Sequence, residues 1–205
     1  MVRVHDLVEL KDVEGFLSKE TFPDWVYSVL REAPFVVVRR APQMDGIIPV
    51  GIRGNHRCQR CASAINVTEI KQCFSPESIK VKEVKTSIDL INIGLIQIQN
   101  IMDDFPDLTW GPAGSVGFEL VTSYPATHKN SDIDMVIRTN RILEQSVAQK
   151  IVELLNVLSI NVDALLETHQ GAFALAEYAT NCEKLILRSS VGPKLVYHPA
   201  FQLQS

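Results

Sequence analysis

Trp110-Gly111-Pro112-Ala113-Gly114-Ser115-Val116-Gly117-Phe118-Glu119-Leu120, followed one loop later by Ser131-Asp132-Ile133-Asp134-Met135-Val136-Ile137, is the stretch that decides the fold. Leu108 to Gly111 reads as a short extended piece, Pro112 to Ser115 as a turn, and Val116 to Val121 as a helix. A glycine turn between strand and helix leaves free amides and the positive end of the helix dipole facing outward, where an anion binds. Glycine at 114 lets the backbone come close to a phosphate, and the Ser115 hydroxyl donates one more hydrogen bond.

The second half of the stretch alternates polar and apolar before turning fully apolar, as a strand entering a core does. Alternate side chains on a strand share a face, so Asp132 and Asp134 project together with Ile133 opposed. Two carboxylates that close repel, and a bound cation relieves the repulsion. Mg2+ suits them, because it takes hard oxygen ligands from one or two carboxylates and completes its shell with water and substrate phosphates. A lone D-x-D also suits solvated strand-edge residues, and glycine-serine is a common turn dipeptide; it is their combination that points to chemistry. Asn161-Val162-Asp163, on the next strand after an intervening helix, offers Asp163 as the third ligand.

Working outward, Ile88, Ile91, Leu95, Ile98 and Met102 recur at helical spacing within Thr86 to Asp103. Leu143, Val147, Ile151, Leu154 and Leu158 mark another amphipathic helix. Ile160 to Leu166 reads as a strand, Gly171 to Ala179 as a helix, and Lys184 to Arg188 as a last strand before Gly192-Pro193. Upstream, Pro23 to Leu30 predicts a short amphipathic helix. The β-branched runs Phe35 to Arg40 and Ile47 to Arg53 predict paired strands. The expected class is α+β, with a small α+β domain over residues 1–80 and a second domain, a mixed sheet flanked by helices, over 81–205.

Bulk properties exclude several classes. The chain has 205 residues and a net charge of -4, from 20 basic and 24 acidic side chains, so no global positive field gathers nucleic acid or an anionic membrane. Met1 to Glu9 carries Arg3, Asp6 and Glu9 and lacks the apolar run of a secretory signal, so a cytoplasmic protein is expected. Cys58-Gln59-Arg60-Cys61 has the spacing of half a zinc site, but no second close pair follows; reduced, unpaired thiols are the better reading.

The Gly114-Ser115 turn, the D-x-D strand and the carboxylate on the following strand resemble the polymerase-beta-like nucleotidyltransferase superfamily. Trp110 to Leu120, Ser131 to Met135 and Gly171-Ala172-Phe173-Ala174-Leu175-Ala176-Glu177-Tyr178 resemble more narrowly the phosphoribosyl-dephospho-CoA transferases, the holo-acyl-carrier-protein synthases of malonate decarboxylase. His5-Asp6-Leu7, Ala33 to Arg40 and Val50 to Gly54, with Arg57, Gln59 and Arg60, extend the similarity to the first domain. The family pattern leads one to expect glycine at Ser123 and an aromatic such as tryptophan near Phe201.

The resemblance implies that 2'-(5''-triphosphoribosyl)-3'-dephospho-CoA is the donor and that a serine of the apo acyl carrier protein subunit of malonate decarboxylase is the acceptor, with pyrophosphate released. It implies Asp132, Asp134 and Asp163 as catalytic residues and Mg2+ ligands, with Asp163 also placed to accept the serine proton. Gly114, Ser115, Arg53, Arg57 and Arg188 are the expected substrate-binding residues. Three alternatives stay open at this point. They are the citrate lyase carrier as acceptor, another nucleotidyltransferase of the superfamily acting on a small molecule, and a non-catalytic carrier-binding module.

Overall fold

The computed structural model describes residues 2–56 and 58–200. Arg57 and Phe201, both named above, lie outside the described residues. The chain divides into two compact units, Met1–Ser75 and Pro76–Ser205.

The first unit is an antiparallel sheet of five strands with two helices. Its elements in chain order are β1 (Leu7–Leu10), α1 (Val13–Leu17), α2 (Asp24–Glu32), β2 (Phe35–Val38), β3 (Ile47–Arg53), β4 (Arg60–Asn66) and β5 (Ile70–Phe74). The strands lie in the order β4-β3-β2-β1-β5. The two β-branched runs pair as predicted, Val37 opposite Gly51 and Val38 opposite Val50. Pro23 caps α2, whose Val26, Val29 and Leu30 are buried; Val8, Phe16, Val36 and Val50 complete that core.

The second unit holds α3 (Asp89–Asp103), β6 (Thr109–Pro112), α4 (Gly114–Thr122), β7 (Ile133–Arg138), α5 (Gln145–Asn156), β8 (Val162–Thr168), β9 (Gly171–Ala174), α6 (Leu175–Tyr178), β10 (Lys184–Ser189) and β11 (Gly192–Tyr197). Its sheet runs β11-β10-β9-β8-β7-β6. Among the described residues only β7 and β8 pair in parallel, Asp134 opposite Asp163, and α5 makes the crossover between them; a parallel pair needs such a connection. With helices and two sheets segregated in this way, the class is α+β.

The core lies on one face of this sheet. Ile133, Met135, Ile137, Leu166, Phe173, Leu185 and Leu187 meet Ile91, Leu95, Ile98 and Met102 of α3, Val116 and Leu120 of α4, and Ile151 and Leu155 of α5. The helical period of α3 has thus placed its apolar stripe on the sheet. Gly94 sits where α3 crosses closest: a Cβ there would stand 2.7 Å from Ile160 Cγ2 and 2.9 Å from Ile133 Cδ1.

Two expectations fail. Lys184 to Arg188 is not the last strand, because Gly192–Tyr197 folds back on it as β11. Gly171 to Ala179 is not one helix but β9 followed by the single turn α6. Gly171 takes φ +141, which an ordinary helical residue does not, and turns the chain back after β8. Leu166 then pairs with Phe173 and Leu165 with Ala174. The ladder with β8 overrides the helix preference of the alanines.

Candidate active site

The site is built where β6 turns into α4, beside the starts of β7 and β8. Proline at 112 ends the strand, and the Ala113 amide donates to the carbonyl of Asp134 at 2.8 Å, which fastens the turn to β7. Gly114 opens α4 with φ +58. Its missing side chain is required twice over. L-residues avoid that conformation, and a Cβ would lie 1.7 Å from Asp134 Oδ2. One turn on, a Cβ at Gly117 would stand 2.6 Å from the Pro112 carbonyl oxygen, so helix and strand approach to backbone contact. Ala113 makes no side-chain cap. The start of α4 thus faces the Asp134 carboxylate, and the positive end of a helix is where negative oxygens gather. Ser115 is buried in this turn.

Asp134 is half-buried on β7, and its Cα partner on the adjacent parallel strand is Asp163. Residues in register on neighbouring strands point to the same side, with backbones roughly 4.8 Å apart. The fold thus brings together two of the three expected carboxylates, from residues far apart in sequence. Asp132 is exposed and lies one position before β7 begins. It stands outside the strand ladder that fixes the other two. Among the described residues no group of three or more His, Cys, Asp or Glu side chains is close enough to hold a metal ion. A pair of carboxylates beside the Gly114 turn nevertheless fits Mg2+, which needs only one or two protein carboxylates when water and substrate phosphates fill its other positions.

Glu119, one turn after Ser115 on α4, organises the surroundings of both halves of the site. It is buried, and its carboxylate accepts from the Ser87 amide at 2.6 Å, the Ala126 amide at 2.9 Å, and the Thr127 amide and hydroxyl at 2.7 and 2.8 Å. Burial pushes this carboxyl up, but the hydrogen bonds from Ser87, Thr127 and Ala126 outweigh it and hold the group below its ordinary value. The segment that Glu119 holds runs directly into a turn closed by Ser131 N to His128 O and by His128 N to Ser131 Oγ, both 2.9 Å, and then into Asp132. Ser123 ends α4 at φ 58, a left-handed position that glycine adopts more readily, which accounts for the glycine expected there. Its place inside a helix already suits a packing or supporting role rather than metal ligation, and the hydrogen bonds to Ser87, Ala126 and Thr127 give that role its partners.

Arg188 is not brought to the carboxylate pair. It lies opposite Ala172, which lies opposite Glu167 of β8. Glu167 is four residues beyond Asp163, so Arg188 is about 13 Å along the sheet and two strand spacings, about 10 Å, across it. Arg53 ends β3 in the first unit, opposite Arg60. The Arg138 guanidinium, two strand positions past Val136, instead forms an ion pair with Glu77 at 3.2 Å.

Comparison with known proteins agrees across both units. The model of the phosphoribosyl-dephospho-CoA transferase MdcG C-terminal domain matches residues 89–199, and that of the MdcG N-terminal domain matches residues 3–76. A phosphoribosyl-dephospho-CoA transferase of Pseudomonas putida is 34% identical over 197 residues, covering 96% of this chain and 94% of the relative. The enzyme of that name from Pseudomonas fluorescens (strain Pf0-1) is 37% identical over 178 residues, covering 86% and 85%. That of Klebsiella pneumoniae (strain 342) is 31% identical over 198 residues, covering 96% and 95%. No solved structure matches the chain. No helix among the described residues is long and apolar enough to cross a membrane.

Proposed function

This chain belongs to the phosphoribosyl-dephospho-CoA transferase family, and from that premise we propose that it attaches the prosthetic group to a serine of the malonate decarboxylase acyl carrier protein. It is a transferase of the phosphoribosyl-dephospho-CoA group; the finer proposal concerns the acceptor and the residues that act. The donor is the triphosphate form of that group. The serine oxygen bonds to the α-phosphorus, the bond from that phosphorus to the bridging oxygen of pyrophosphate breaks, and the hydroxyl proton leaves to a base.

Each part of the candidate site has a task in this chemistry. The amides of Gly114 and Ser115, with the Ser115 hydroxyl, hold phosphate oxygens at the start of α4. Asp134 and Asp163, with Asp132 from the flanking loop, would hold Mg2+, whose chemistry is to neutralise charge on the triphosphate. Asp163, exposed on β8, is also positioned to receive the serine proton. Otherwise the protein's contribution is alignment of hydroxyl, phosphorus and leaving group. Four free thiols support a cytoplasmic setting for the reaction.

One observation carries the assignment of residues: Asp134 stands in register with Asp163 and against the glycine that opens α4. The test mixes the purified chain, Mg2+, the triphosphoribosyl donor and apo carrier protein, then weighs the carrier by intact-mass spectrometry. A carrier heavier by one phosphoribosyl-dephospho-CoA group is expected. An unmodified carrier, with transfer seen only from an ordinary nucleoside triphosphate, would refute the acceptor and donor together.

A further inference from the structure

We infer that the terminal β10–β11 hairpin is the surface on which the acceptor docks, and that the docking partner is a protein with an acidic face around an apolar contact. The inference rests on the transferase reading above and names the partner-facing surface of that same site.

Register places the hairpin and the carboxylate pair on one face of the sheet. Asp134 and Asp163 are partners; Glu167, on the same side of β8 as Asp163, is opposite Ala172, and Ala172 is opposite Arg188. On β10 and β11 the same face then carries Arg188 with Pro193, Ile186 with Leu195, and Lys184 with Tyr197. Because β8 and β10 are both antiparallel to β9, they run the same way. Stepping back four residues from Glu167 reaches Asp163, and stepping back four from Arg188 reaches Lys184. Lys184 is therefore level with Asp163, two strand spacings or roughly 10 Å across the sheet.

That face is exposed where a soluble sheet is ordinarily covered or polar. Ile186 is 47%, Leu195 67% and Tyr197 56% exposed, with Val191 of the hairpin tip at 67%. The cations stand around them: Lys184 Nζ lies 5.0 Å from the centre of the Tyr197 ring, and Arg188 flanks Ile186 along the strand. From Lys184 to Tyr197 the sequence holds no acid, and Lys184 and Arg188 are the cations on this face, in a chain of net charge -4. The neighbouring Glu177 turns its carboxylate to the backbone, accepting from Ile186 N at 2.9 Å. A positive, apolar patch on an acidic protein favours an acidic partner locally while the overall charge disfavours anionic partners elsewhere. A second copy fits poorly, since a two-fold contact through this patch would set Lys184 and Arg188 against themselves. A small ligand fits poorly as well, since such ligands take concave pockets and not a flat sheet face. A protein footprint of roughly 800 Å² is about 30 Å across, so a partner centred on the hairpin extends over the Asp163 edge, where its serine is needed.

The experiment compares steady-state transfer by wild type, Lys184→Glu/Leu195→Glu, and Lys194→Glu. Lys194 pairs with Leu187 and so belongs to the opposite face of the hairpin. The double variant should raise the KM for the apo carrier at least tenfold, with the donor KM within twofold of wild type, and Lys194→Glu should leave both unchanged. An unchanged carrier KM in the double variant, or an equal rise in Lys194→Glu, overturns the docking face while leaving the transferase reading intact. Wild-type protein that modifies no carrier overturns both.

Discussion

Gly114 and Asp134 are fitted so closely that a single methyl group separates a working turn from a blocked one. A Cβ on residue 114 would stand 1.7 Å from Oδ2 of Asp134, 2.6 Å from its Cγ and 2.9 Å from its Cβ. Alanine there meets two obstacles: the left-handed backbone, at about 1–2 kcal/mol, and the Asp134 side chain, which must rotate away. Gly114→Ala should lower transfer to the carrier at least about a hundredfold, while costing only about 2 kcal/mol in urea unfolding. Near-normal turnover would mean that Asp134 is free to act from another rotamer and that the close fit is incidental. Ser115→Ala should be milder, because the amides remain.

Register makes Asp134 and Asp163 interdependent. Replacing either by asparagine keeps the volume and removes one of two negative charges that face the same side. If the pair holds Mg2+, worth several kcal/mol of charge stabilisation, each variant should fall below about 1% of wild-type rate, with an unaltered circular dichroism spectrum. Chelation with EDTA should stop wild-type transfer and added Mg2+ should restore it. Full transfer in excess EDTA would remove the metal from the proposal. Asp132→Asn should lose less, because Asp132 precedes β7 and is not fixed by the ladder.

The sequence made these carboxylates legible because strand alternation and the strand-turn-helix order are local signals. The stripe of Ile91, Leu95, Ile98 and Met102 was readable in the same way and lies buried in α3. What stayed hidden depends on partners distant along the chain. Arg60-Cys61-Ala62-Ser63-Ala64-Ile65-Asn66 has Ile65 as its single β-branched residue, and becomes β4 because β3 supplies its ladder. Ala172-Phe173-Ala174 reads as helix until β8 pairs with it, and β11, with Pro193 and Lys194 in it, exists because β10 folds back onto it. Arg188 was expected among the substrate-binding residues from its place at the end of a strand; the register of β8, β9 and β10 decides its distance. A supporting role for Glu119 follows from its place in a helix, but its partners, amides of residues 87, 126 and 127, are ones no helical period reveals.

Cys73 should be the slowest of the thiols to alkylate. Burial of the sulfur first, then the negative charge of Asp6 and the hydrogen bond donated to Asp6 Oδ2 at 3.6 Å, push the thiol up to about 11. At pH 8 its thiolate is then scarce, whereas an unfolded cysteine near 8.5 is substantially ionised. Iodoacetamide labelling of Cys73, followed by peptide mass spectrometry, should accelerate on the order of a hundredfold in urea. A folded-state rate matching the unfolded one would show that the sulfur does not lean on Asp6.

Glu119 links acid stability to the order of the loop that precedes β7. Its carboxyl titrates below the ordinary value in the folded chain because amides of residues 87, 126 and 127 bond the charged form. A carboxylate depressed in this way stabilises the fold fully above its unfolded value, near 4.3, and the contribution is lost as pH falls through the folded value. Thermal stability of wild type should thus hold from pH 8 to 5 and drop below about 4.5. Glu119→Gln keeps the size but sets an amide against donors that have no other partner. With unsatisfied buried donors at about 1–3 kcal/mol each, it should unfold about 3 kcal/mol more easily and show a shallower loss in that acid window. Its kcat should fall about tenfold with the donor KM little changed, because α4 still offers its amides while the segment leading to Asp132 loosens. Limited proteolysis supplies the check on cause: cleavage between Ser123 and Asn130 should appear in the variant under conditions where wild type is intact. Equal resistance in both proteins, or a variant whose acid profile superimposes on that of wild type, would separate Glu119 from the loop and leave it as an ordinary buried acid.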